Sequence, residues 1–202
     1  WKKYFKTTKI TDKITVKPSW QEYEKEENDE IVIEIDPGMA FGTGTHETTS
    51  LCVELLEKYS VDKENLLDIG CGSGILMLIG KKMGINNVDG IDIDPNVKNV
   101  VIENMQRNHI NENYNVIIGN LVDDVNEKYD IIVSNILVDV LMQLLDTIET
   151  VLKDGAIIIF SGILKEKSED FIKMAETHSF IEIERKEKNK WSAVAFKYEK
   201  DK

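Results

Sequence analysis

Hydrophobic and polar positions follow two different periods after residue 30, and each change of period marks a change from strand to helix. Short apolar runs are typical of buried strands, and the predicted strands are 31–35, 66–69, 88–93, 116–118, 131–133 and 156–160. Longer stretches with a helical period separate them, and the predicted helices are 46–59, 75–83, 95–109, 137–151 and 165–177. The last two segments, 180–183 and 191–196, alternate like a hairpin joined by the polar run from Lys186 to Lys190.

Strands that alternate with helices predict a doubly wound α/β sheet that is mostly parallel. The terminal hairpin adds an antiparallel edge to this sheet. A ligand of such a fold lies beyond the carboxyl ends of the strands, at the switch in strand order. We therefore expect one catalytic or binding domain over residues 31–202.

Charge divides the first thirty residues from that domain. Residues 2–17 carry six lysines against one acid, whereas residues 22–30 carry six acids against one lysine. This reversal predicts a linker or peripheral segment over residues 1–30, with a short strand at 14–16. Two interpretations remain for the segment, a connection to another module or a solvated surface hairpin.

Composition limits the class of protein. A chain of 202 residues with 42% hydrophobic residues is long enough for a sizeable core. The net charge of −12 argues against non-specific nucleic-acid binding, and it fits either a cationic partner or solubility alone. No apolar run approaches the ~18 residues of a membrane span. Two cysteines form no disulfide framework, which favours the cytoplasm. The N-terminus lacks the apolar stretch of a signal peptide. Because the sequence begins at Trp1 and not at a Met, we expect a fragment or a processed product.

The strongest motif for chemistry is a glycine turn between a predicted strand and a predicted helix, Asp68-Ile-Gly-Cys-Gly-Ser-Gly74. Glycine permits the tight turn and allows a ligand to approach the backbone. Asp92 follows Gly70 by 22 residues, at the end of the next strand, where an acid accepts both hydroxyls of a ribose. The dinucleotide pattern G-x-G-x-x-G fails because Ile75 stands at its sixth position. The spacing G-x-G-x-G with a preceding acid is instead typical of S-adenosylmethionine enzymes, and it makes Asp68, Gly70, Gly72 and Asp92 the predicted cofactor-binding residues.

Each of these acids has a second interpretation. Asp68 either contacts the cofactor or only orders the turn, and Asp92 either binds the ribose or is a solvent-facing acid at a strand end. Asp94 precedes Pro95, so we expect it to cap the next helix first and to contact a ligand second. Cys71 is expected to pack in the loop rather than to act as a nucleophile, because no histidine lies near it in the sequence.

A second loop, from Phe41 to Thr49, leads into the first predicted helix. Its backbone donors and hydroxyl groups favour a carboxylate, such as that of a methionine group. We expect Thr48 and Thr49 to contribute to cofactor binding, and Phe41 to stack on an adenine or to close the pocket. The alternative is a capped helix with a flexible preceding loop.

Taken together, five stretches of the chain resemble the bacterial methyltransferases of protein eleven of the large ribosomal subunit. The resemblance extends from Trp1 to about Tyr198, and the first stretch is highly specific to this family. The five stretches are Asp36–Thr49, Asp68–Gly74, Gly90–Pro95, Ser134–Leu137 and Ser161–Leu164.

This resemblance implies a class I S-adenosylmethionine-dependent methyltransferase fold, Rossmann-like, with a mostly parallel seven-stranded sheet. It implies methyl transfer in the cytoplasm from S-adenosylmethionine to lysine ε-amines and to the N-terminal α-amine of that ribosomal protein. No nucleic-acid or membrane partner is expected. It also implies cofactor contacts at Thr49, Gly70, Asp92 and Asn135, with His46 and Gly72 close by. The family carries a small N-terminal domain that grips the substrate, and this chain begins in what resembles the linker after it.

Methylation of an amine requires a lone pair on nitrogen and an aligned approach, so positioning and hydrogen-bond acceptors matter more than a strong base. Asn135 follows the strand 131–133, and its side-chain oxygen or a neighbouring carbonyl is expected to accept from the amine. Asn135 begins Asn-Ile-Leu-Val where related enzymes have D/N-P-P-Y, which counts against a planar base or amide as substrate. The alternative role for Asn135 is a helix cap.

His46 is the second candidate catalytic residue, and it either relays a proton or orders the loop. His109 and His178 are expected at the surface, and no spacing of metal ligands is present. Three other functions remain as alternatives: a methyltransferase of RNA or of a small molecule, a non-catalytic nucleoside-binding module, and a nicotinamide dehydrogenase.

Overall fold

A computed structural model describes residues 2–36 and 47–201, which form two separate sheets. The small sheet holds β1 (Thr8–Thr11), β2 (Ile14–Lys17) and β3 (Ile31–Glu34). β2 pairs antiparallel with β1 and parallel with β3. The domain division at residue 30 stays a prediction. It falls between β2 and β3, which are hydrogen-bonded neighbours.

The large sheet has seven strands in the order β6-β5-β4-β7-β8-β10-β9. Its strands are β4 (Asn65–Ile69), β5 (Asn87–Asp92), β6 (Tyr114–Ile118), β7 (Tyr129–Asn135), β8 (Leu152–Leu164), β9 (Phe180–Lys188) and β10 (Trp191–Tyr198). The first five of these pair in parallel, and β10 runs antiparallel to both of its neighbours. The mostly parallel sheet with an antiparallel terminal hairpin is therefore confirmed.

Five helices cover the two faces of this sheet. They are α1 (Glu47–Tyr59), α2 (Ile75–Lys82), α3 (Val97–Arg107), α4 (Val138–Leu145) and α5 (Lys165–Glu176). The buried side chains of α1, α2 and α3 share one hydrophobic cluster with the small sheet, and those of α4 and α5 belong to a second cluster. Alternation in β7 fits this division, because Ile131 and Val133 face the first cluster and Ile132 faces the second.

Several element boundaries differ from the sequence-based expectation. The helix predicted over 137–151 ends at Leu145 and gives way to a 3-10 turn at Ile148–Val151. β8 then begins at Leu152, earlier than the predicted strand over 156–160. The residues that follow Leu152 are polar, so the hydrophobic pattern did not indicate a strand there. Most of the run from Lys186 to Lys190 belongs to β9 and is therefore strand, not a turn. Its charged side chains are compatible with a strand because β9 lies at the edge of the sheet, where they reach water.

The start of α3 also differs in detail. The helix begins at Val97 rather than at Pro95. Asp94 still organises the approach, because its Oδ1 accepts from the backbone N–H of Asn96 over 2.9 Å. Among residues 2–36 and 47–201, no helix has the length and apolar character needed to cross a bilayer.

Candidate active site

A cavity of about 720 Å³ opens at the carboxyl edge of the large sheet. Its volume lies within the range of small-molecule sites, and apolar side chains form much of its wall. The strand order brings the ends of β4, β5, β6, β7 and β8 to this edge. The predicted site residues that line the cavity are Thr48, Gly70, Gly72, Asp92 and Asn135.

The glycine turn is built around the end of β5. The N–H groups of Gly70 and Cys71 both donate to the carbonyl oxygen of Ile91, over 2.7 and 3.1 Å. Gly70 has a φ of +77°, and a Cβ there would lie 2.6 Å from Cγ2 of Ile136. A side chain at this position would therefore be strained and would collide with the cavity wall. Gly70 and Gly72 of this turn line the cavity, and the cofactor contacts predicted for them stay predictions.

Asp92 is held with its carboxylate at the cavity. Its Oδ2 accepts from the N–H of Gly72, and its Oδ1 accepts from the N–H of Asp94, each over 3.0 Å. A carboxylate has about four acceptor positions, so both oxygens retain capacity for further donors. The two bonds fix the orientation of the carboxylate, and the ribose contact predicted for Asp92 stays a prediction.

Asp68 lies behind this wall, in β4, with only 1% of its surface exposed. Burial, and to a smaller extent the nearby charge of Asp92, raise the pKa of Asp68 to about 8. The cofactor contact predicted for Asp68 stays a prediction. A buried acid with a raised pKa changes the stability of the protein with pH, which can be measured.

We expect Asp68→Asn to stabilise the ligand-free protein at pH 8 by several kcal/mol, because each unit by which the folded-state pKa is raised is equivalent to about 1.4 kcal/mol. The folded-state pKa of about 8 exceeds the ordinary value, so the wild type loses stability as pH rises from about 4 to about 8. The Asn variant lacks that loss, and the two proteins converge near pH 4. Urea unfolding between pH 4 and pH 9 measures the difference.

The control for this prediction is Asp170→Asn, because Asp170 is exposed on α5. This control should leave the slope of stability against pH unchanged. Parallel curves for the wild type and Asp68→Asn would show that Asp68 is ionised in the folded protein throughout this range.

Cys71 is buried beside the same turn. Burial is the largest cause that raises the pKa of its thiol, and the charges of Asp68 and Asp92 act in the same direction. A thiolate is therefore disfavoured at this position. The result supports loop packing, rather than nucleophilic attack, as the role of Cys71.

Asn135 ends β7, and β4 alone separates this strand from β5, which carries Asp92. Its Nδ2 donates to Oγ1 of Thr49 over 3.1 Å. No side-chain cap bond from Asn135 supports α4, whose N-cap residue is Leu137. The helix-cap alternative for Asn135 is therefore not what the structure shows. Thr49 itself is buried behind the wall, and its predicted cofactor contact stays a prediction.

Gly162 was not among the predicted site residues, although it lies within one of the five characteristic stretches. It follows Ser161, which pairs with Asn135 across β7 and β8. A Cβ on Gly162 would lie 3.2 Å from Oδ1 of Asn135 and 2.6 Å from the carbonyl oxygen of Ile136. Two acceptor oxygens therefore flank Gly162 at the cavity, and within the described residues no group donates a hydrogen bond to either of them.

Other residues that line the cavity were also not predicted, and only some of them could have been identified from the sequence. Asn120 follows β6, so the rule that ligands lie beyond strand ends would have identified it. Trp191 begins β10 and reaches the cavity because that strand pairs antiparallel with β8. No local pattern predicts this contact. Phe41 and His46 lie outside the described residues.

Comparison with known proteins gives a consistent family. The sequence model of the family described as ribosomal protein L11 methyltransferase (PrmA) matches residues 1–199. Ribosomal protein L11 methyltransferases of Fusobacterium nucleatum and Clostridium perfringens are 46% and 42% identical to 98% of this chain. The chain spans 64% and 62% of the length of these two curated relatives.

Solved structures agree with the sequence comparison. The crystal structure of a ribosomal protein L11 methylase from Lactobacillus delbrueckii has a TM-score of 0.91 and 28% identity, and the match covers 96% of this chain and 100% of that one. A methyltransferase from Pyrococcus furiosus shares the fold at 16% identity, with a TM-score of 0.67 over 83% of this chain and 89% of that one. The predicted class I methyltransferase fold is confirmed.

Proposed function

The chain belongs to the ribosomal protein L11 methyltransferase family, and on this premise we propose that it is the catalytic part of an S-adenosylmethionine-dependent protein N-methyltransferase. The proposed substrates are lysine ε-amines and the N-terminal α-amine of ribosomal protein L11, and the proposed location is the cytoplasm. One observation carries the proposal: a single cavity joins Asp92 and the glycine turn to the amide of Asn135.

The cavity residues fit the proposed cofactor. Asp92 retains acceptor capacity for two ribose hydroxyls, and the turn at Gly70 has no room for a Cβ. Asn120 and Ile93 line the wall next to Asp92, where an adenine attached to that ribose would lie. When bound, S-adenosylmethionine supplies an electrophilic methyl group on a sulfonium sulfur.

The residues around Asn135 provide what an amine needs in order to attack. A lysine amine has a pKa of about 10.4 in water and must lose its proton to the solvent before it can react. The apolar wall formed by Ile136, Leu137 and Trp191 disfavours the charged ammonium form. Oδ1 of Asn135 and the carbonyl oxygen of Ile136 then accept the remaining N–H groups and aim the lone pair. No strong base is required for this role.

A methylation assay with radiolabelled S-adenosylmethionine tests the proposal. The chain is tested by itself, and also within the longest natural protein that contains it. The alternative substrates are ribosomal protein L11, ribosomal RNA and free lysine. We expect label on the protein only. Label on RNA and none on protein would overturn the proposal in favour of an RNA methyltransferase.

In the same assay, Asn135→Ala is expected to lower kcat by about 30-fold, which corresponds to the loss of one well-placed acceptor. Asn126→Ala is the matched control, because Asn126 is exposed and lines a separate cavity at the other edge of the sheet. The control should retain full activity.

A further inference from the structure

The glycine turn meets α3, and a buried amide on that helix contacts the backbone of the turn. Nδ2 of Asn104 donates to the carbonyl oxygen of Ser73 over 2.8 Å. Asn104 is 5% exposed and Ser73 is 3% exposed. Because a backbone carbonyl can only accept, the nitrogen end of the Asn104 amide must face it. This hydrogen bond therefore has a defined direction and is shielded from water.

Side-chain packing next to this bond is close. Val101 is fully buried and precedes Asn104 by three positions, which places both residues on one face of α3. A Cβ on Gly74 would lie 3.1 Å from both Cγ atoms of Val101. The peptide between Ser73 and Gly74 is thus held by packing against Val101 and by the amide of Asn104.

This peptide adjoins the part of the turn that orients Asp92. The N–H of Gly72, the residue before Ser73, donates to Oδ2 of Asp92 over 3.0 Å. Among the described residues, those that line the cavity include Gly72 and Asp92 but not Asn104. A displacement of Ser73 moves Gly72 with it, because the two residues are covalently joined. Asn104 can therefore affect the cavity through the backbone of the turn.

We propose that Asn104 is a positioning residue for cofactor binding, whose amide keeps the glycine turn where the N–H of Gly72 orients the carboxylate of Asp92. The inference rests on the proposed function, because it concerns the affinity for S-adenosylmethionine. In this role Asn104 contacts neither the cofactor nor the substrate amine. Its removal weakens cofactor binding and leaves methyl transfer at saturating cofactor unchanged.

Asn108, at the end of the same helix, provides the matched control. Its Oδ1 accepts from the N–H of Glu34 and its Nδ2 donates to the carbonyl oxygen of Glu34, each over 2.8 Å. The same Nδ2 donates to the carbonyl oxygen of Asn104, which also accepts from the backbone N–H of Asn108. Asn108 thus ties α3 to β3, whereas Asn104 ties α3 to the glycine turn.

The test measures the Kd for S-adenosylmethionine by titration calorimetry in Asn104→Ala and Asn108→Ala. We expect Asn104→Ala to raise the Kd by about tenfold, as for a weakened hydrogen bond to a charged acceptor, and to leave kcat at saturating cofactor within about twofold. Asn108→Ala removes three side-chain hydrogen bonds, so it should lower Tm at least as much as Asn104→Ala. Its Kd should nevertheless stay within about twofold of the wild type.

Asn104→Leu separates the hydrogen bond from the volume of the side chain. Leucine fills a similar space but has no donor, so we expect the same rise in Kd as for Asn104→Ala. The same variant serves if Asn104→Ala fails to fold. A Kd restored to the wild-type value by leucine would overturn the proposal, because packing alone would then hold the turn. An equal rise of Kd in Asn108→Ala would also overturn it, as an effect of general stability.

A double-mutant cycle tests the route through Asp92. In an Asp92→Ala background, Asn104→Ala should raise the Kd by less than about twofold. A second tenfold loss in that background would overturn the positioning of Asp92 by Asn104.

The same measurements distinguish failure of this role from failure of the proposed function. A wild type and an Asn104→Ala variant of equal affinity would overturn the positioning role alone. A wild type that binds the cofactor but labels no ribosomal protein L11 would overturn the proposed function, and the difference in Kd between Asn104→Ala and Asn108→Ala would still support the positioning role. A wild type that binds no S-adenosylmethionine would overturn both.

Discussion

Gly162→Ala is expected to lower kcat for methyl transfer by about 100-fold or more, because a displacement of about 1 Å at a reacting centre has an effect of this size. Gly162 has a φ of +86°, and a Cβ there would lie 2.6 Å from the carbonyl oxygen of Ile136. Backbone cannot move aside as a flexible side chain does. The methyl group therefore displaces both proposed acceptors, Asn135 and Ile136, and kcat at saturating cofactor measures the loss.

Gly155→Ala is the matched control for this substitution. Gly155 lies in the same strand, β8, and has a similar φ of +79°, but no atom stands within 4 Å of its Cβ position. Both substitutions place alanine in the left-handed region, at a cost of about 1–2 kcal/mol in stability. Only Gly162→Ala should also lose activity. Equal kcat in the two variants would contradict the assignment of Asn135 and Ile136 as amine acceptors.

Asp92→Ala is expected to weaken the binding of S-adenosylmethionine by about 100-fold, which is equivalent to two hydrogen bonds to a charged acceptor. The substitution also leaves the N–H groups of Gly72 and Asp94 without the acceptor that now orders them. Titration calorimetry of the wild type and the variant measures the change.

Asp94→Ala is the control that tests whether the effect of Asp92→Ala comes from lost ribose binding or from a less ordered loop after β5. Asp94 is exposed and accepts from Asn96, so its removal affects the approach to α3 rather than the carboxylate of Asp92. We expect a Kd within about threefold of the wild type, as for a surface contact. A cofactor analogue without ribose hydroxyls should bind the wild type and Asp92→Ala with similar affinity. If Asp92→Ala still bound S-adenosylmethionine much more tightly than this analogue, the ribose assignment would be rejected.

Local pattern was sufficient for most of the secondary structure and for one half of the site. The glycine turn and Asp92 were predicted together because both lie at the ends of neighbouring strands, at a spacing set by one helix. The boundaries of α4 and β8 were less predictable, since polar residues at a strand end carry no periodic signal.

The residues of the proposed amine-binding half of the cavity were harder to predict from the sequence. Asn135 was predicted, but its hydrogen bond to Thr49 joins residues that are 86 positions apart in sequence. Gly162 and Trp191 reach the cavity because β8 lies between β7 and β10. Strand order of this kind follows from packing of the whole sheet, so a window of sequence does not contain it.

The sequence by itself determined the α/β class, the parallel sheet with its terminal hairpin, and the glycine turn and acid that line the cavity, because periodic burial and glycine turns are local properties of the chain. Only the tertiary structure decided that Asn135 meets Thr49, that a Cβ on Gly162 would lie against the carbonyl oxygen of Ile136, and that burial raises the pKa of Asp68. These three features depend on contacts between strands and helices that are far apart in sequence. Such contacts exist only once the whole sheet has assembled.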